Sequence, residues 1–115
     1  VAHDSHNLVV AGDNDRDMLM AIDALRSCGG GYCVVSRGVV LARLPLPIAG
    51  LMTSAPVDGV LEVQQALLDA AHSLGAKKDS DPLIALSFLA LPVIPDARLT
   101  DEGLFDVTKM EFVKE

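Results

Sequence analysis

Tryptophan is absent, and one tyrosine with three phenylalanines holds the aromatic share at 3%. A core without large rings must be built from the Val, Leu, Ile, Ala and Met that carry the hydrophobic share to 50%. Basic charge is scarce as well: nine Lys and Arg stand against sixteen Asp and Glu, for a formal net charge of −7. Neutralising a phosphate backbone takes a basic face, so this balance argues against nucleic acid as a partner and equally against an anionic membrane surface. Long apolar runs are missing. The longest, residues 83–94, is broken by Ser87 and Pro92 and falls short of the about 20 apolar residues that span a bilayer. Two cysteines, Cys28 and Cys33, make no disulfide framework, and the first residues offer neither a basic region nor a hydrophobic signal core. A reduced, cytoplasmic setting is the expectation. The sequence opens on Val1 rather than Met, as an excised piece of something longer would.

What is present fits one domain. A length of 115 residues allows a single real core and not two. The mean hydropathy of +0.38 is high for a small module with 22% charged residues, which points to a globular piece that hides part of its surface against something outside the chain. Residues 8–11 read as a short strand ended by Gly12, and Asp13, Asn14 and Asp15 then supply caps and negative charge for a helix start. Met18, Ala21, Ile22, Leu25 and Cys28 lay one apolar stripe on that helix, and the glycines at 29–31 stop it. The turn between strand and helix is acidic, and the glycines come after the helix, so phosphate cradling is disfavoured and a tight return to the sheet is the plain reading.

Residues 32–36 and 39–44 are β-rich runs joined by Arg37-Gly38, a hairpin signal. Cys33 lies in the first and reads as a small hydrophobe, not a nucleophile. Residues 45–52 form an apolar loop with two prolines, too poor in polar groups to be an ordinary exposed connection. It must pack under its own domain or dock on a neighbouring one, with Pro45, Pro47, Ile48, Leu51 and Met52 as the interface candidates. Ser54 and Pro56 open a second helix whose stripe is Val60, Val63, Leu67, Ala70, Ala71 and Leu74, with His72 solvated on the other face and Gly75 closing it. Asp81-Pro82 caps an apolar segment, residues 83–91, that suits a buried helix slightly better than a buried strand. Residues 99–107 alternate strand and turn, and 111–113 can pair back as an edge. The sum is an α/β domain: a small mixed sheet covered by two or three helices.

The polar cluster lies at the start. His3, Asp4, Ser5, His6 and Asn7 bring together two of the three histidines and three further side chains that ligate, transfer protons or hydrogen-bond. His3 and His6 could begin a metal site, but the further ligands would have to come from Asp13, Asp15 or another chain. Ser5 beside Asp4 and His6 makes no triad by adjacency alone. A His-x-Glu with Pro-Cys-x-x-Cys is absent, which excludes a self-contained zinc nucleobase deaminase of the small type. The residues leave two readings of the cluster open, a ligand-positioning wall or a brace against a partner, and no metal site or catalytic residue is assigned within the chain.

Five stretches carry a resemblance. Val-Ala-His-Asp-Ser-His-Asn at 1–7, Gly-Asp-Asn-Asp-Arg-Asp-Met at 12–18, Gly-Gly-Gly at 29–31, Leu-Pro-Leu-Pro-Ile-Ala-Gly-Leu-Met at 44–52 and Leu-Ser-Phe-Leu-Ala-Leu-Pro-Val-Ile-Pro at 86–95 resemble, in order, the C-terminal domain of bacterial adenine deaminases of the amidohydrolase superfamily. Leu-Thr-Asp-Glu-Gly-Leu-Phe-Asp-Val at 99–107 extends the likeness. The resemblance implies hydrolysis of adenine to hypoxanthine and ammonia in adenine catabolism and purine salvage. It implies attack by a hydroxide held on a dinuclear iron or manganese centre in a preceding (β/α)8 barrel, which has no counterpart here. Residues 1–115 would then be the C-terminal domain alone, inactive by itself, with its own barrel, adenine and further copies of the enzyme as partners. Residues 3–7 would reach the mouth of the barrel. The alternative is a non-catalytic module for interdomain or subunit contact.

Overall fold

Asn14 decides where the first helix begins. In the computed structural model, which describes residues 1–114, its extended backbone and a side-chain oxygen accepting the Asp17 amide at 2.9 Å form the N-cap of α1 (Asp15–Arg26). Asp15 and Asp17 in the first turn and Arg26 in the last complement the helix dipole. The expected stripe from Met18 to Leu25 is the half-buried face. Past the helix end the Gly30 amide donates back to the Leu25 carbonyl at 2.9 Å, and the chain turns into β1 (Gly31–Ser36).

β1 pairs antiparallel with β2 (Val39–Pro45) through a turn in which both central residues, Arg37 and Gly38, take positive φ (52° and 74°). That is the hairpin geometry whose twist matches the strands. The Asp17 carboxylate reaches across from α1 and accepts both turn amides, Arg37 at 2.7 Å and Gly38 at 2.8 Å.

Tyr32, Val34, Ala42 and Leu44 share one face of this hairpin by register. On it packs α2 (Val57–Ser73), with Val60, Val63, Leu67, Ala70 and Ala71 inward; Leu67 is fully buried and Leu46 closes the cluster from the loop after β2. α1 lies against the other side, where the Arg43 guanidinium donates to the Ala24 carbonyl at 3.3 Å and to the Ser27 hydroxyl at 3.4 Å. Asp81 accepts the Leu83 and Ile84 amides at 2.9 and 3.0 Å and caps α3 (Pro82–Ser87), which continues as turns to residue 90. The helical reading of this segment holds for its first part.

The chain ends in a separate antiparallel sheet, β3 (Ala97–Thr100), β4 (Gly103–Asp106) and β5 (Glu111–Phe112), in that order. Phe105 and Phe112 meet edge-to-face at 5.1 Å, and the Leu99 amide bonds the Leu89 carbonyl at 2.9 Å.

The α/β class is as read from the sequence, with the strands divided between two antiparallel sheets rather than gathered in one mixed sheet. The division follows from a correction: residues 8–11 are not a strand, because they run beside β1 across a groove and make no ladder with it. Three smaller corrections concern α2. It starts at Val57, with Pro56 as N-cap and no side-chain cap bond, so Ser54 does not open it; proline has no amide there to satisfy. Leu74 is 51% exposed, because the helix has ended at Ser73. His72 is half-buried and not free in solvent, its Nε2 lying 3.1 Å from the Ser80 carbonyl.

Candidate functional site

Five polar residues next to an apolar core need a fold that keeps them outward. The chain supplies a turn: Ala2 and Asn7 pair as an isolated antiparallel bridge, and the His6 amide donates to the Ala2 carbonyl at 2.7 Å. His6 takes φ 55°, a left-handed conformation that histidine adopts more readily than most non-glycine residues. The root of the turn is apolar, with Ala2 buried and Val1 packed on the central cluster, where burial pulls the Val1 amino group below its usual pKa.

The tip is polar. Side chains of His3 and Asp4 are about half exposed (53% and 49%), with His3 Nε2 3.3 Å from the Asp4 carboxylate. Behind them the His3 ring meets Phe88 edge-on at 6.1 Å, which ties the tip to the turn after α3. His6 is exposed, and Asn7 is half-buried. The Ser5 hydroxyl is buried without a hydrogen-bond partner among the described residues, a condition that costs about 1–3 kcal/mol.

Beside the turn lies a cleft of about 250 Å³, lined by His6, Asn7, Tyr32, Leu51 and Ser87 together with the backbone of Gly30 and Gly31. Burial, helped by the negative charge of Asp81, pushes the Tyr32 phenol up, so it stays protonated and can donate at neutral pH. Burial likewise pushes the Cys33 thiol up; Arg43 opposes this and Cys28 reinforces it. Cys33 is therefore a protonated thiol and a poor nucleophile.

Of the loop residues singled out in the sequence, only Leu51 reaches this cleft. Ile48 and Met52 exchange backbone hydrogen bonds of 3.1 Å at the base of a tight turn and remain 47% and 58% exposed; Pro45 and Pro47 are exposed too. Asp13 and Asp15 stay at the start of α1. Among the described residues no three His, Cys, Asp or Glu side chains converge as metal ligands, and the His3–Asp4 pair is too small a donor set for a dinuclear centre. Phe88, Tyr32 and Ser87 were not singled out from the sequence. Single residues inside apolar runs carry no spacing that would mark them.

The arrangement is thus a small α/β domain that sets a polar turn beside a shallow cleft. The family model described as adenine deaminase C-terminal domain matches residues 1–111, and the chain belongs to that family. A protein named adenine deaminase from Nitratidesulfovibrio vulgaris is 54% identical over 113 residues, 97% of this chain and 20% of its own length. Adenine deaminases of Geobacillus kaustophilus and Leuconostoc mesenteroides are 51% and 48% identical, each match covering 98% of this chain and 20% of theirs. The chain therefore spans about one fifth of the length of these curated relatives.

Proposed function

We propose that this chain is the C-terminal domain of an enzyme that hydrolyses adenine to hypoxanthine and ammonia, and that residues 3–7 form one wall of its substrate cleft. The observation that supports the reading is the turn itself: an apolar root holds His3, Asp4 and His6 outward, His6 and Asn7 line an open cleft, and the Ser5 hydroxyl has no partner among the described residues. Imidazole nitrogens and an amide so placed can donate to or accept from the edge of a purine. Asp4 is then a positioning residue, acting through His3.

Because the residues here do not fit a dinuclear iron or manganese centre, the reading leaves that centre to a barrel in the other four fifths of the enzyme, and no step of the chemistry is assigned to this domain. Isolated and supplied with either metal, the chain is expected to release no ammonia from adenine; turnover near that of the intact enzyme would overturn this. His3→Ala and His6→Ala in the full-length enzyme are expected to lower kcat/KM at least about tenfold, with KM raised and Tm unchanged. Unchanged kcat/KM with a lowered Tm would make the turn a brace. No described helix is long and apolar enough to cross a membrane. The unpaired Cys28 and Cys33 support a cytoplasmic location. The exposure of Ile48 and Met52 favours a second role in subunit or interdomain contact.

A further inference from the structure

Among the described residues β1 is bonded to β2 alone, so its other edge presents amides and carbonyls that no described strand pairs. Along that edge lies a groove of about 700 Å³, far larger than the cleft beside the polar turn. Residues 8–13 form one bank and residues 33–36 of β1 the other, with Met18 and Ile22 of α1 and Leu83 and Leu86 of α3 as walls. The smaller cleft continues it, joining residues 6–9 to residues 30–33, so residues 8–13 run in the same direction as β1. A strand residue occupies roughly 3.3 Å along a sheet, 4.8 Å across it and 10 Å through it, about 160 Å³, so the groove has room for about four residues of strand.

The polar turn says which strand. Ala2 opposite Asn7 is an antiparallel pair, and continuing the register sets Val1 opposite Leu8 and the three residues upstream opposite Val9, Val10 and Ala11. Val1 already lines the smaller cleft that continues the groove. The relatives are about five times longer, and the matching family is by description C-terminal, so the enzyme has chain to place there. We propose that the residues immediately preceding Val1 in the longer enzyme enter this groove as a strand, antiparallel to both residues 8–11 and β1, and join them into one sheet. Direct pairing of residues 8–11 with β1 is the poorer solution, since it would close the path that the Val1 end already points into. Residues 8–11 then gain the ladder they lack, and the apolar walls are covered.

The inference rests on membership of a longer protein and not on the activity, and neither test below involves turnover. In a crystal structure of the full-length enzyme, the upstream strand is expected between residues 8–11 and β1 with Val1 opposite Leu8. Residues 8–11 paired directly with β1, or a groove holding solvent, a small ligand or a second copy, would overturn it. Amide hydrogen exchange of the same enzyme in solution is expected to be slowed at least about a hundredfold, relative to unstructured chain, at those alternate amides of residues 8–11 that face the new strand. Exchange within about tenfold of the unstructured rate would be equally fatal.

Discussion

Gly31 and Asp17 set the geometry on which the hairpin depends. A Cβ on Gly31 would run into the Leu44 carbonyl oxygen, and its φ of +134° is one that L side chains rarely adopt. Gly31→Ala is expected to lower stability by about 2–4 kcal/mol, read as a fall in urea midpoint at constant slope. Gly59→Ala is the contrasting case: nothing lies within 4 Å of the added methyl, and the position is helical, so stability should rise by up to about 1 kcal/mol. Asp17 acts through charge. The Gly38 amide holds its carboxylate below the usual range; desolvation opposes this, and Asn14, Arg37 and Arg16 add to the lowering. Its folded pKa is depressed, so its contribution is fully present above the unfolded value and is lost as pH falls through the folded one. Urea midpoints of the native chain and of Asp17→Asn should therefore differ near neutrality and converge from about pH 4 downward. A gap independent of pH would show that the carboxylate's charge is immaterial.

The elements divide by how local their causes are. α1 and α3 were legible because Asn14, Asp81 and Pro82 start them and a 3.6-residue stripe runs through α1; the hairpin was legible because Arg37-Gly38 allows two positive φ values in succession. Residues 8–11 were misread because β propensity reports fitness for a half-buried sheet surface, and here no neighbouring strand completes one. At the site the polar turn could be read as a cluster, while the Phe88 contact and the Tyr32 cleft depend on the packing of α3 and β1, which no local spacing encodes. Burial ranks the elements energetically. Leu67 on α2 is wholly enclosed by Val34, Leu44 and Leu46, so Leu67→Ala should cost about 3–5 kcal/mol. Asp81→Ala removes one cap from a six-residue helix and should cost about 1 kcal/mol. If thermal or urea unfolding ranked these two substitutions the other way, the core would not be centred on the α2–hairpin contact.

For the whole molecule, the apolar groups left outside matter as much as those within. Ile48 and Met52 project from the loop after β2 at 47% and 58% exposure, and Val57 and Leu61 on the nearby start of α2 at 67% and 57%. Large apolar groups exposed along one loop and the helix that follows it in sequence mark contact surfaces more often than single scattered ones do. These groups suit a second copy or the rest of the enzyme, and light scattering separates the two. If the loop makes the subunit contact, the isolated chain should run above its monomer mass of 12.1 kDa, and Ile48→Ser with Met52→Ser should return it to that mass. Neither side chain is buried, so the pair should shift the urea midpoint little, and the change in mass would report association and not unfolding. A strictly monomeric native chain would assign the loop to contact within the enzyme. In that case the same two substitutions should leave subunit number unchanged in the full-length protein and lower its thermal stability, because the exposed loop would there be covered by the other four fifths of the chain.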